Sequence, residues 1–297
     1  SMYDVIIIGM GIGGITAGIY GKRAGLNVLM FEKSAPGGML QKIDKIQNYP
    51  GFSEISGPDL ALNLFNQVKK VGVPFKFEEV IDVEITEECK KVITKNGTYE
   101  AKNIIVATGR TPKYLGLDNE KDYLGRGLST CASCDGNFYK GEDVAVVGSG
   151  NSALQESLYL ANIVNKVYLL HRGVNFKGDD ALVERVRNTK NIEIVDGVNI
   201  KKINEVEGKI ESVTLDNEKT INVKGVFIYI GYKPDTEMFK KLDITNINGD
   251  IIVSENFETE IDGLYAIGDC AKKGVYQLVT AASDGCIAVS DIEKIRN

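Results

Sequence analysis

The tightest constraint on the fold is a glycine-rich turn that occurs twice in the same setting. Tyr3-Asp-Val-Ile-Ile-Ile8 is a short β-branched run, the pattern of a buried parallel strand. It leads into Gly9-Met-Gly11-Ile-Gly-Gly14, a helix-like stretch over about residues 12–24, and a second strand pattern at Asn27–Glu32. That is a βαβ unit. The same order returns about 140 residues later. There Asp143–Val147 precedes Gly148-Ser-Gly150-Asn-Ser-Ala153, then come a helix over about residues 152–161 and a strand at Lys166–Leu170. Two such units so far apart predict two dinucleotide-binding domains and not a repeat array. The expected class is α/β: two Rossmann-like, three-layer ββα domains, the second inserted into the first. Residues 1–112 and 237–297 form the outer domain and 113–236 the inserted one. The Pro-bearing stretches Thr111–Tyr114 and Tyr232–Thr236 carry the crossings. A hairpin is expected at Asn96-Gly97 and a second meander after Asn248-Gly-Asp250. Ile104–Gly109 and Gly225–Gly231 read as buried strands ending in Gly.

The spacing assigns each glycine a task. Gly9 permits the tight turn, Gly11 lets a pyrophosphate approach the backbone, and Gly14 lets helix and strand pack closely. The helix N-terminus then offers free N–H groups to the phosphates, and Glu32 can accept from a ribose. In the second loop Gly148 and Gly150 do the same, and Ala153 is the permitted variant of the third glycine. The strand after it ends in His171-Arg172, where a basic residue suits the 2′-phosphate of NADPH. His171, the single histidine, reads either as a packing residue or as a cofactor contact.

The chain has five cysteines, and only Cys131 and Cys134 are close in sequence. An odd, scattered set is no secreted disulfide framework. Cys89, Cys270 and Cys286 read as buried inert thiols. Zinc needs four ligands, and Cys131-Ala-Ser-Cys134 has no second CxxC to join it. Two residues between the cysteines let both sulfurs meet across one helical turn. One thiol can then attack and the other resolve the mixed disulfide. Asp135 is placed to carry a proton or to cap a helix, or both. The net charge of −6 and the absence of a basic, aromatic-laced patch exclude nucleic acid as a partner. The apolar stretch from Val5 to Tyr20 has no basic residue before it and is broken by Gly9, Gly11, Gly13, Gly14 and Gly18. It reads as strand and turn and not as a signal or membrane segment, so a cytoplasmic location is expected.

Nearly end to end, the chain resembles the low-molecular-weight thioredoxin reductases. The likeness runs through Gly9–Gly14, Pro36-Gly-Gly-Met-Leu40, Gln47-Asn-Tyr-Pro-Gly51, Ala107-Thr-Gly109, Cys131–Asp135 and Gly148–Ala153. It continues through Ile230-Gly-Tyr-Lys-Pro234, Tyr265-Ala-Ile-Gly-Asp269 and Gln277-Leu-Val-Thr-Ala281. The resemblance implies FAD, held by Gly9, Gly11, Gly14, Glu32, Gly38, Met39, Leu40, Asn48, Val83, Gly109, Asp269, Gln277 and Leu278 of the outer domain. In the inserted domain it implies NADPH or NADH at Gly148, Gly150, Ala153, His171, Arg172 and Lys177. It further implies that Cys134 lies against the flavin, that Cys131 attacks thioredoxin and that Asp135 is the acid–base. A rotating inserted domain and a homodimer are also implied.

Three departures fall at the donor end. The family's signature of His-Arg-Arg, three residues, then Arg reads His171-Arg172-Gly173 and then Lys177. Tyr276 stands where an arginine is common, and Met39 where a glutamine is. The missing guanidinium subtracts charge-assisted bonds to a 2′-phosphate. NADH as donor fits this pattern, and so does ferredoxin, as in a branch of the family that uses no pyridine nucleotide. Two other readings are a flavin reductase of ferredoxin and NADP, which lacks the cysteine pair, and a nucleotide-sensing module without turnover.

Overall fold

A computed structural model describes residues 1–296. The chain divides into two compact units, Ser1–Thr111 with Lys233–Asn297, and Pro112–Tyr232. Residues 233–236, expected in the inserted domain, belong to the first unit. The Asp235 N–H donates to the Gly109 carbonyl at 3.0 Å, and Thr108 Oγ1 donates to the Asp235 carbonyl at 2.6 Å.

In the first unit Phe75–Lys76, Val28–Phe31, Met2–Ile8 and Gly97–Val106 lie side by side as parallel strands. The long strand Gly97–Val106 serves two neighbours on its other edge. Its C-terminal end pairs in parallel with Leu264–Ala266, and its N-terminal half pairs antiparallel with Lys90–Thr94 and so with Val80–Ile85. The apolar residues of alternate register face opposite layers. Val5 and Ile7 pack under the helices Ile12–Arg23, Gly57–Val71 and Leu278–Arg296, while Ile6, Ile8 and Phe31 pack with Val80, Val83 and Val92 of the meander. This gives the three layers expected. In the hairpin the turn residues are Lys95 and Asn96. Thr94 Oγ1 accepts the Asn96 N–H, and Gly97, at φ +157°, opens the next strand.

The second unit repeats the plan. Its parallel strands run Ile192–Asp196, Lys166–His171, Asp143–Val147, Gly225–Ile228 and Leu128–Ser129. Helices Asn151–Ala161 and Asp180–Arg187 cover one face. A three-stranded antiparallel sheet, Ile200–Val206, Lys209–Leu215 and Thr220–Asn222, covers the other. The meander expected after Asn248 is reduced to isolated bridges. Asn246 Oδ1 accepts the N–H groups of Asn248 and Asp250, which closes a turn between the antiparallel pair Thr245 and Ile251, and Ile251 also bonds to Cys270 and Lys272. Among the described residues no helix is long and apolar enough to cross a membrane.

Candidate functional site

In the first unit Gly9 sits at φ +107°, and a Cβ there would overlap the Ala107 carbonyl oxygen. A Cβ on Gly14 would overlap the Gly9 carbonyl oxygen, so both glycines are demanded by packing. Gly11 is different. A Cβ there would meet nothing within 4 Å, so its face opens away from the protein. Gly11 also starts the helix Ile12–Arg23 with no side-chain cap and no acid in the first turn, whereas Ser56 caps Gly57–Val71 by accepting the Asp59 N–H. Uncapped amides beside an open glycine are what a diphosphate needs.

Other expected residues gather on this loop. The Gly37 N–H donates to the Met10 carbonyl at 2.7 Å, and Gly38 (φ +55°) lies against the Gly11 Cα, with Met39 half-buried beside it. Glu32 is buried. Its two oxygens accept the Met10 N–H at 3.1 Å and the Ser34 N–H at 3.0 Å, so the expected ribose acceptor also fixes the loop. The C-terminal helix packs on Ile12–Arg23 so closely that a Cβ at Gly285 would stand 2.6 Å from the Gly13 carbonyl oxygen. That brings Gln277 and Leu278 to the loop, and Asn48 Nδ2 reaches Gln277 Oε1 at 3.3 Å. Arg110 Nε, next to Gly109 (φ +66°), donates to the Asp269 carbonyl at 3.1 Å. Leu40 and Val83 are placed otherwise. Their side chains are core, leaving only backbone for a ligand.

Sequence reasoning missed the support of the Asp269 turn. Lys273 and Asp284 form a buried ion pair at 2.8 Å, and Asp284 also accepts the Gly268 N–H at 3.0 Å. Burial pushes the Asp284 carboxyl up, against the pull of Lys273. No motif marks these two residues. Tyr276 stacks under the Arg110 guanidinium at 4.5 Å.

In the second unit Gly148 (φ +148°) would overlap the Tyr229 carbonyl oxygen if it carried a Cβ, Gly150 faces open space, and the helix Asn151–Ala161 is again uncapped. Ala153 is fully buried behind the loop. Arg172 and Lys177 are exposed and in no ion pair among the described residues. His171 is turned inward, 3% exposed, and tilted against Phe176 at 4.3 Å. Its Nε2 meets Asp196 Oδ1 at 2.5 Å, and its Nδ1 is buried without a partner.

Cys131 and Cys134 are joined as a disulfide with Cα atoms 5.3 Å apart. Cys131 starts the turn Ala132–Asp135 and accepts the Cys134 N–H on its sulfur at 3.3 Å. It is 6% exposed, while Cys134 is exposed. Two residues not foreseen hold this turn. Ser129 Oγ accepts the Cys131 N–H at 3.1 Å and donates to Asp135 Oδ2 at 2.6 Å. The Tyr229 hydroxyl accepts the Ala132 N–H at 2.7 Å, and burial followed by the nearby Glu156 pushes that phenol up, keeping it neutral. Of the solitary thiols only Cys270 is buried. Cys89 and Cys286 are half-buried: Cys89 lies just before the strand Lys90–Thr94, and Cys286 lies midway along the helix Leu278–Arg296.

The pyridine nucleotide-disulphide oxidoreductase family model matches residues 3–285. The chain is 38% identical to a thioredoxin reductase of Bacillus subtilis (98% of this chain, 94% of the relative). It is 39% identical to that of Mycoplasma pneumoniae (99% and 95%). A crystal structure of Lactococcus lactis thioredoxin reductase superposes with a TM-score of 0.86 at 33% identity, covering 98% of each chain. None of these relatives is named for ferredoxin, so that reading gains no support. With two matching glycine loops, a cysteine pair between them and likeness over its whole length, the chain belongs to the pyridine nucleotide-disulphide oxidoreductase family and is a flavin-dependent oxidoreductase.

Proposed function

We propose that this chain is a thioredoxin-disulfide reductase that takes electrons from a pyridine nucleotide through FAD to Cys131–Cys134. The observation that carries the reading is the Cys131–Cys134 disulfide, set just ahead of the second glycine loop. The residues around Gly11 fit the diphosphate of FAD, and Gly38, Asn48, Asp269, Gln277 and Leu278 would hold the rest of it. Bound FAD supplies the two-electron carrier. The chain's own residues do the exchange. In the reduced pair the Cys131 thiolate, steadied by the Cys134 N–H, attacks one sulfur of the partner's disulfide and the partner's other sulfur leaves. The Cys134 thiolate then displaces the partner from Cys131, so the enzyme disulfide reforms and the partner departs as a dithiol. Asp135, held by Ser129, hands a proton to the leaving sulfur. Phe138, 82% exposed in the same turn region, offers an apolar contact for the partner. The same reading includes a homodimer and a cytoplasmic location; light scattering tests the former.

One observation favours a second order of attack: Cys134 is the exposed cysteine of the oxidised pair. Trapping separates the two. With a thioredoxin lacking its resolving cysteine and carrying an aromatic thiol in disulfide linkage on the remaining one, Cys134→Ser should form a stable mixed disulfide as the aromatic thiol leaves, and Cys131→Ser should not. The reverse pattern assigns attack to Cys134. Thioredoxin turnover that survives in both variants would overturn the reductase reading.

A further inference from the structure

In the second unit the strand after the glycine loop ends in a histidine, and the acid that a dinucleotide site places there comes from the neighbouring strand. Lys166–His171 and Ile192–Asp196 are parallel, and the register sets His171 directly beside Asp196. The imidazole Nε2 is bound to the Asp196 carboxylate at 2.5 Å, and Nδ1 is sealed inside. His171 therefore has no free N–H to give to a phosphate. Asp196 is oppositely placed: its side chain is 50% exposed, and its second oxygen has no hydrogen bond among the described residues.

The surroundings tie this carboxylate to the nucleotide loop. The Gly197 N–H donates to the Gly173 carbonyl at 3.0 Å, and the Val198 N–H donates to the His171 carbonyl at 3.1 Å. The same 172–178 stretch folds back on the glycine loop, where the N–H groups of Lys177 and Gly178 donate to the Ser149 carbonyl at 2.8 and 3.1 Å. Asp196 thus stands at the carboxyl end of the strands, beside the crevice where a doubly wound sheet binds the adenosine. A Cβ at Gly173 would meet Asn175 and the His171 ring only at ordinary contact distance, so a longer side chain fits there without a clash at its Cβ.

We infer that Asp196, held by His171, is the ribose-binding acid of the second unit and makes the site select dinucleotides without a 2′-phosphate. A carboxylate accepts the hydroxyls of a free ribose, and it repels a phosphate dianion at the same place. Arg172 and Lys177 remain to attract the pyrophosphate or a 2′-phosphate, so the selection is a ratio and not an absolute exclusion. This inference rests on the reading of the chain as a reductase fed by a pyridine nucleotide.

The test is equilibrium binding to the oxidised, flavin-loaded enzyme, with NAD+ against NADP+, and 5′-AMP against adenosine 2′,5′-bisphosphate. The unmodified enzyme should bind the ligand without the 2′-phosphate more tightly in both pairs, by about tenfold or more, the weight of one charge-assisted bond. Asp196→Asn should shrink that ratio about tenfold, and Asp196→Ser should repeat the change if the amide finds a new partner. Gly173→Arg together with Asp196→Asn should move it further toward the phosphorylated ligands. Equal or tighter binding of NADP+ by the unmodified enzyme would overturn the inference. So would an unchanged ratio in both Asp196 variants, or no binding of any of the four ligands at millimolar concentration. Thioredoxin reduction by enzyme that dithionite has reduced bypasses the nucleotide. Its failure would strike the reductase reading, and its success beside a failed ratio would strike only this inference.

Discussion

Gly9 and Gly148 hold the same place in two units, each at positive φ and each pressed against a carbonyl oxygen at the end of a neighbouring strand, Ala107 in one and Tyr229 in the other. Gly11 and Gly150 both face open space at the start of an uncapped helix. Up to this point the loops are interchangeable. They part after the second strand. Glu32 is buried and bonded to two backbone amides, so the acid of the first unit belongs to the scaffold. The second unit puts a buried histidine there and borrows a half-exposed aspartate from the next strand. Geometry that a dinucleotide requires is repeated, and the chemistry that meets its sugar is free to differ.

The largest effect should come from breaking what the loops share. Gly9→Ala and Gly148→Ala each force a side chain into a backbone carbonyl at positive φ, so neither can be relieved by moving a flexible neighbour. Strain of this kind costs of order 1–3 kcal/mol before the overlap is counted. Thermal melts should show each variant losing the cooperative unfolding of its own unit first. A melt unchanged in either variant would show that the loop is not held as described.

The next effect separates fold from ligand. Gly11→Ala and Gly150→Ala meet no protein atom, so both should melt as the parent does when all three are compared stripped of ligand. Gly11→Ala should be purified with much less FAD, by absorbance per chain. Gly150→Ala should keep its FAD and bind nucleotide about tenfold or more weakly, about the loss of one charge-assisted bond. Flavin loss in the Gly150 variant would show that the loops do not divide the two ligands.

Most of this architecture was legible in the sequence because backbone demands leave marks. A positive φ or a close approach calls for glycine at fixed spacing, and the β-branched runs announced the strands that flank both loops, whereas the parallel strands Phe75–Lys76, Leu128–Ser129, Ile192–Asp196 and Leu264–Ala266 passed unread. The antiparallel sheet over residues 200–222 passed unread, since its half-exposed strands carry charges at nearly every second place. The site was legible where one residue type is obligatory, as with Cys131 and Cys134. It was not where support comes from ordinary residues brought together by pairing, as with Ser129, Tyr229, Asp196 and the Lys273–Asp284 pair. His171 was visible only as an ambiguity, and its partner on the next strand decides it.

A smaller effect tests the residues behind the two glycines. Ala107 ends its strand with a methyl group, whereas Tyr229 carries a hydroxyl that takes the buried Ala132 N–H at the cysteine turn. Tyr229→Phe leaves that amide without a partner, a loss of about 1–3 kcal/mol. The variant should melt lower and its thioredoxin turnover should fall, with flavin content intact. Full turnover would mean that the hydroxyl does not hold the cysteine pair.

The smallest effect is the one that most sharpens the contrast between the two acids. Glu32→Gln keeps one acceptor oxygen but turns an amide NH2 toward a backbone N–H that is already a donor. The buried mismatch should cost about 1–3 kcal/mol of stability and lower FAD retention with it. Asp196→Asn alters a hydrogen bond whose carboxylate is half in water, so the loss should be at most about 1 kcal/mol. Its amide oxygen can still accept from His171 Nε2, which reduces the loss further. Denaturant melts of the two variants should therefore differ clearly, with Asp196→Asn close to the parent and Glu32→Gln well below it. If Asp196→Asn proved the more damaging, the carboxylate would be part of the scaffold, as Glu32 is. A changed nucleotide ratio in that variant could then no longer be read as recognition of the sugar.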